Sequence, residues 1–355
     1  MAKWWLANIA AGVTLAGVAI VAQAPAKPAA KPAAKTATAK PAAVPAKANP
    51  QAIDPTLLHV QVILDHLGFS PGILDGRPGM SLTAAIRGFQ EAKGLAVTGK
   101  TDPATMSALH AYAAWRPTRQ LRLTQAVLAG PFYDIPKKED EQAKLPSLGY
   151  RSPMEKLAEM FHTTPQVLIQ LNSPDTKLAP GTLVTFPNAL PTSRAYDPKL
   201  TPEWRQTLAM LNVDANQPQG AKIVVKKNAS VLRVLDANDK LVAQFQVTTG
   251  SAHDPLPLGN WKVTVIDRNP KFHFNPALFW DASAGEKAAM LPPGPNGPVG
   301  VVWLDLNKPH YGIHGTPEPQ YIGRTESHGC VRLANWNAAR LAQMVKPGVQ
   351  VVFES

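Results

Sequence analysis

The sequence predicts an α+β protein with several domains, and three changes of pattern along the chain support this prediction. Residues 25–52 are mostly alanine, proline and lysine. From Leu57 onward apolar residues recur at helical spacing, which predicts a small helical domain. From Ala221 onward apolar and polar residues alternate, which predicts strands. At 355 residues, the chain is long enough for two or three domains with separate cores.

Residues 1–24 are expected to be a signal peptide or, if uncleaved, a membrane anchor. A charged start, Met1 to Lys3, precedes a mostly apolar run of 19 residues, and Ala22 and Ala24 fit the small-x-small cleavage rule. The run also has the length of a membrane span, so both alternatives stay open. Either one predicts export to the cell envelope or periplasm, with membrane contact only through an uncleaved leader.

Residues 25–52 are expected to be a disordered tether, because they have too little apolar surface to offset the entropy of ordering. They carry much of the formal net charge of +11. No aromatic residue interleaves these lysines, and no nucleic-acid motif follows, so no nucleic-acid partner is expected. A polyanionic envelope would attract the tether. Its lysines are Lys27, Lys31, Lys35, Lys40 and Lys47.

Residues 53–114 predict three helices. The first carries an apolar stripe from Leu57 to Leu67, the second runs from about Ser81 to Lys93, and the third begins after the N-cap Asp102. Within and between the first two helices lie Gly68, Gly72, Asp75, Gly76, Gly79, Thr83, Ala85, Ile86, Phe89 and Gln90. With these residues, the pattern resembles the three-helix peptidoglycan-binding module of cell-wall enzymes.

Residues 115–150 and 191–220 are weakly patterned and are expected to be linkers. Between them, residues 151–190 predict two short helices, an Asn172 turn and a closing strand. This order resembles a LysM glycan-binding repeat without its usual opening strand. Two interpretations stay open for this segment: a glycan-binding repeat, or a spacer that packs on the next domain.

Residues 221–355 predict a β-rich domain with one late helix, at Asn335 to Met344. A hairpin is expected from Val231–Leu235 and Leu241–Val247 around a turn rich in Asp and Asn. Further strands are expected at Trp261 to Val265, Val299 to Leu304 and Val349 to Phe353.

The only cysteine of the chain, Cys330, lies near two histidines, His314 and His328. In an exported protein, a single cysteine is either an inert core residue or a reactive thiol. A thiol needs an imidazole or another positive field to become a nucleophilic thiolate, and either histidine is a candidate base. Gly329 can adopt backbone angles closed to other residues and leaves its N–H accessible to an oxyanion.

The segments Ile313-His314-Gly315 and Ser327-His328-Gly329-Cys330-Val331-Arg332 resemble the two-part signature of the YkuD-type L,D-transpeptidases. The resemblance implies that Cys330 is the nucleophile and His314 its base, while His328 shapes the site. We expect the Gly315 carbonyl to orient the imidazole, and the N–H groups of Gly329 and Cys330 to form an oxyanion hole.

Arg332 and Ser327 are expected to bind substrate. Arg332 is two residues beyond Cys330, so in an extended chain both side chains share one face, where a guanidinium suits a carboxylate. An internal salt bridge is an equally open role for this arginine. The resemblance implies that the substrate is peptidoglycan, both stem peptides and glycan, with formation of 3→3 cross-links. The acceptor is a stem amine, a lipoprotein lysine or, in an L,D-carboxypeptidase, water; a non-catalytic peptidoglycan-binding protein is the other alternative.

A zinc site is the alternative chemistry for the same segment, because histidine and cysteine are the residue types that bind zinc. The candidate ligands are His310, His314, His328 and Cys330. Residues four apart on a strand stand ~13 Å apart, too far to share an ion. A helix would bring them together, but Pro309 and Gly312 disfavour one. We therefore expect no metal and no cofactor.

Overall fold

The structure is a computed structural model that describes residues 52–278 and 285–355. The expected leader, residues 1–24, and the expected tether, apart from Ala52, lie outside the described residues. Within the described ranges, no helix has both the length and the apolar character of a membrane span.

The N-terminal part is the predicted three-helix domain. Asp54 and Asp102 cap the first and third helices, since each accepts hydrogen bonds from backbone N–H groups of the first turn. Phe89 is fully buried at the centre of the domain's core. The helices are α1 (Pro55–His66), α2 (Met80–Ala92) and α3 (Pro103–His110).

The prediction of a linker over residues 115–150 is wrong at β1 (Thr118–Arg122). This strand pairs antiparallel with the closing strand, so the segment does have an opening strand. Asn172 fixes the closing strand by exchanging hydrogen bonds with the backbone of Thr185 at 2.8 Å in both directions. The other elements are α4 (Gln125–Leu128), α5 (Glu139–Gln142), α6 (Pro153–Met160), α7 (Pro165–Leu171) and β2 (Leu183–Pro187).

The second expected linker, residues 191–220, contains the helix α8 (Pro202–Met210). Trp204 and Leu208 of this helix are buried in the core of the C-terminal domain, with exposures of 1% and 0%. The segment is therefore part of that core, because its helix supplies large apolar side chains to it.

The C-terminal part is built mainly of strands. Its elements are β3 (Lys222–Lys226), β4 (Val231–Leu235), β5 (Leu241–Gln246), β6 (Gly259–Arg268), β7 (Phe272–Phe274), β8 (Ala289–Leu291), β9 (Val302–Leu306), β10 (Gly312–His314), β11 (Val331–Arg332), α9 (Asn335–Met344) and β12 (Gln350–Glu354). Eight of these strands form one sheet with the order β11-β10-β9-β6-β12-β3-β4-β5. The hairpin of β4 and β5 and the late helix α9 confirm the predictions.

The three-helix domain docks on the edge of this sheet. The Ser70 N–H donates to Gln244 O, and the Gln244 N–H donates to Gly68 O, both at 2.9 Å, so the domain adds a short bridge to β5. Gly88 of α2 lies directly over Gln244, where a Cβ would approach its side chain to 2.8 Å. The described residues accordingly fall in one compact unit.

A buried polar cluster joins the three parts. Arg340 of α9 donates to both carboxylate oxygens of Asp65 at 3.0 Å, and His162 places Nδ1 2.8 Å from the same carboxylate. Burial alone would raise the pKa of Asp65, but the charge of Arg340 and the contacts with His162 hold this pKa well below its usual range. The His162 ring also stacks on Trp336, with centroids 4.9 Å apart.

Candidate active site

The parallel pairing of β10 and β11 brings the two motif segments together. His314 is the last residue of β10, and Cys330 directly precedes β11. The register pairs Ile313 with Val331 and His314 with Arg332, which places Cys330 opposite Gly312. Strands ~4.8 Å apart and a rise of ~3.3 Å per residue then put the Cα atoms of His314 and Cys330 on the order of 8 Å apart.

The imidazole of His314 is held on both sides. Its Nδ1 lies 2.7 Å from Gly315 O, so Nδ1 is the protonated nitrogen and Nε2 is left as an acceptor. The indole of Trp303 stacks on the ring at 5.4 Å. Burial lowers the pKa of His314 to about 3, the charge of Arg332 acts in the same direction, and the Gly315 hydrogen bond opposes them. The ring is therefore neutral near pH 7.

The thiol of Cys330 is partly exposed, and it donates to His310 O at 3.8 Å. Burial by surrounding atoms raises the pKa of Cys330, while a backbone hydrogen bond from Gly312 and the charge of Arg332 act to lower it. With the thiol pKa raised and the imidazole pKa lowered, the resting pair is a neutral thiol and a neutral imidazole.

The turn before the cysteine depends on Gly329, which has φ +98°, as its position led us to expect. A Cβ there would lie 2.6 Å from the Tyr311 ring. Ser327 is 3% exposed, and its hydroxyl donates to Cys330 O at 2.5 Å. This hydrogen bond holds the turn, and the expected role of Ser327 in substrate binding stays a prediction. His328 lies half-buried in the same turn.

Residues 220–353 match the family model of the L,D-transpeptidase catalytic domain, YkuD, and residues 54–109 match the model described as "Putative peptidoglycan binding domain". The C-terminal part is an L,D-transpeptidase catalytic domain. The three-helix part is the peptidoglycan-binding domain. Together they confirm these two domain resemblances seen in the sequence, and neither model extends over the LysM-like segment.

The chain is 49% identical over 129 residues to "Putative L,D-transpeptidase YkuD" of Bacillus subtilis, and 32% identical over 130 residues to the protein of that name in Bacillus licheniformis. These segments cover 36% and 37% of this chain, and 63% of each relative, which is less than two thirds of its length. Among solved structures, L,D-transpeptidase 3 of Mycobacterium tuberculosis with a faropenem-derived adduct has a TM-score of 0.32 and 15% identity, covering 38% of this chain and 61% of that one. A TM-score of this size adds nothing to the family match.

Arg332 of the L,D-transpeptidase domain is half-buried beside both reacting groups. Its backbone pairs with Thr248, with N–H to O distances of 2.9 and 3.1 Å in the two directions. Its charge lowers the pKa of both His314 and Cys330. The arginine therefore places a positive field at the site, where it favours an anionic sulfur over a protonated ring.

Sequence reasoning missed Asn335 and Glu159. Asn335 Oδ1 accepts from the Val301 N–H at 3.2 Å, and Nδ2 donates to Glu159 Oε1 at 2.8 Å. A Cβ on Gly315 would lie 2.2 Å from Asn335 Oδ1, so this amide supports the peptide whose carbonyl orients His314. Asn335 stood at the start of a predicted helix, where a capping role would be expected, and no local signal linked it to a residue of α6.

In the described ranges, no group of three or more His, Cys, Asp or Glu side chains lies close enough to hold a metal ion. His310, one of the four residues considered for zinc, instead offers its backbone carbonyl to the thiol.

Proposed function

We propose that this protein is a peptidoglycan L,D-transpeptidase in which Cys330 is the nucleophile and His314 the general base. The observation that carries the proposal is the pairing of β10, which ends at His314, with β11, which begins directly after Cys330. The Gly315 carbonyl fixes the ring so that Nε2 is available to accept a proton.

In the first step, the sulfur attacks the carbonyl carbon of the amide between the L-centre of the diamino acid at stem position three and a terminal D-alanine. The thiol proton passes to His314 Nε2 as the S–C bond forms, because the resting pair is neutral. The N–H groups of Gly329 and Cys330 stabilise the oxyanion. The imidazolium then protonates the leaving amine, D-alanine departs, and a thioester remains.

In the second step, an amine of a neighbouring stem attacks the thioester carbonyl and transfers its proton to His314. The new amide is the 3→3 cross-link, and the thiol regains its proton as the sulfur leaves. A protein amine, such as a lipoprotein lysine, would follow the same path. Arg332 attracts a stem carboxylate to the site, since the residue is half-buried and its charge acts on the thiol.

Water is a competing acceptor, and an L,D-carboxypeptidase is the second candidate function. The specific observation in its favour is that Cys330 is partly exposed, so solvent reaches the thioester. Both functions place the protein in the cell envelope after export through its leader.

The peptidoglycan-binding domain and the LysM-like segment (151–190) serve to hold the enzyme on its polymer. In this segment α6 and α7 precede the closing strand β2, which pairs antiparallel with β1; the short helices α4 and α5 also lie between the two strands in the chain. Its glycan binding is part of the proposal.

The test is to incubate the full chain with purified disaccharide-tetrapeptides and follow products by mass spectrometry. The proposal predicts released D-alanine and cross-linked dimers, and loss of both in Cys330→Ala and His314→Ala. His253→Ala, an exposed histidine outside the two motif segments, is the control and should retain both products. Release of D-alanine without dimers, even with excess acceptor, would select the carboxypeptidase; D-alanine release by Cys330→Ala would refute the nucleophile.

A further inference from the structure

A cleft of about 630 Å³ lies where the peptidoglycan-binding domain, the LysM-like segment and the L,D-transpeptidase domain meet. Its walls are the loop after α1, the helices α6 and α7, and residues 317–324, which belong to the connection from His314 to Cys330. Neither His314 nor Cys330 lines it. Its volume is within the ~300–1,000 Å³ of ordinary ligand sites, which take drug-sized molecules such as short oligosaccharides.

A buried carboxyl group forms the floor of this cleft. Glu159 is 8% exposed and lines the cavity. Asn335 donates to Oε1, but Oε2 has no hydrogen-bond partner in the described part of the chain. A buried oxygen without a partner is costly, so a ligand that donates a hydroxyl or an amide N–H to it would be stabilised. Burial raises the pKa of Glu159 to about 7, while the nearby Tyr150 hydroxyl and the Asn335 amide act to lower it.

The charges at the rim largely compensate one another. Arg77 pairs with Asp75 at 3.8 Å, and Arg151 pairs with Glu155 at 3.2 Å. Paired charges produce little net field, so the cleft has no strong attraction for a polyanion or for a peptide with several carboxylates.

Amide groups and an exposed tyrosine ring are also part of the lining. Gln166, Gln246 and Gln320 offer carboxamides, and Tyr321 exposes 45% of its surface at the edge. Carboxamides donate and accept at once, which suits hydroxyl and acetamido groups, and an aromatic face covers the apolar side of a sugar ring. The lining therefore fits a neutral ligand rich in hydroxyls and amides.

We propose that this cleft binds the N-acetylated sugar backbone of peptidoglycan, at a site distinct from the thiol. The assignment rests on the proposed function for the identity of the polymer. Because residues 317–324 both wall the cleft and lead to Cys330, a glycan chain held here presents its stem peptides to the neighbouring active site.

The binding test uses the full chain and peptide-free tetra-N-acetylchitotetraose, titrated calorimetrically. Tyr321→Ala should weaken binding about tenfold, the loss of ~1.4 kcal/mol of contact. Gly79→Trp should abolish it, since an added Cβ at Gly79 meets nothing within 4 Å and its bulky side chain would fill the cleft. The matched controls, Leu258→Ala and Ala104→Trp, change exposed residues outside the cleft and should bind within twofold of the unmodified chain.

The assignment would be overturned if the unmodified chain did not bind the sugar. It would also be overturned if Tyr321→Ala and Gly79→Trp both bound the sugar as tightly as the unmodified chain. A third contradicting result would be that Gly79→Trp loses binding of a stem tetrapeptide but keeps binding of the sugar. Turnover separates this proposal from the enzymatic one: Gly79→Trp should raise KM for glycan-linked stems and leave the rate on free stem peptide unchanged. Cleft-dependent sugar binding without D-alanine release would refute only the enzymatic function.

Discussion

Replacing Asp65 by Asn should destabilise the whole described unit strongly. The carboxylate is 1% exposed and accepts from Arg340 through two 3.0 Å bonds and from His162 at 2.8 Å. An asparagine keeps the shape of the side chain but removes its charge. Its NH₂ group would then face the N–H donors of Arg340 and His162. Breaking a buried charge pair on one side costs about 3–5 kcal/mol, because the partner charge stays buried without compensation.

The free energy of unfolding, measured by urea denaturation with far-UV circular dichroism, tests this magnitude. Asp239→Asn is the control, since its pair with Lys222 is solvent-exposed and should contribute less than about 1 kcal/mol. The double variant Asp65→Asn with Arg340→Met should lose less than the sum of the two single losses, because the orphaned charge is gone. A loss under about 1 kcal/mol in Asp65→Asn, equal to the control, would refute the reasoning.

Three further predictions concern the active site. Because burial lowers the pKa of His314 to about 3, the acid limb of the kcat/KM profile should lie well below pH 6.5, and a limb near pH 6.5 would contradict this. The free energy of unfolding should also fall as the pH drops from 6.5 toward 3, because in this range the unfolded chain binds a proton at His314 and the folded chain does not. Gly329→Ala should lower kcat/KM at least about tenfold, because φ is +98° there and the added Cβ would contact the Tyr311 ring. The control is Gly348→Ala, where φ is +94° but the space is open; this variant should lose stability and keep activity. Ser327→Ala should lower kcat and leave KM unchanged, because the hydroxyl holds Cys330 O; a raised KM with unchanged kcat would instead support the role in substrate binding.

The elements that the sequence predicted well are those with local signals. Asp102 caps α3 as expected, and Gly68 ends the first helix with φ +83°. The strand β1 could not be predicted in this way. Its sequence, Thr-Arg-Gln-Leu-Arg, has little apolar alternation, and it is a strand because β2 pairs with it.

The candidate site was predictable as far as the motif reaches. The spacing of His314 and Cys330 indicated two neighbouring segments, and the Gly315 carbonyl indeed lies 2.7 Å from the imidazole. Their supports were not predictable, because Glu159 and Trp303 reach the site through tertiary packing that leaves no mark in local spacing. Nor did the sequence show that burial raises the pKa of the thiol while lowering that of its base.

The most direct test of the central claim is to capture the acylated enzyme. The full chain would be mixed with a disaccharide-tetrapeptide in the absence of acceptor, quenched in acid, digested and mapped by mass spectrometry. We predict a stem peptide shortened by D-alanine and attached to the peptide that contains Cys330, with the adduct missing in Cys330→Ala. An adduct on any other residue, or D-alanine release that persists without this sulfur, would contradict the account.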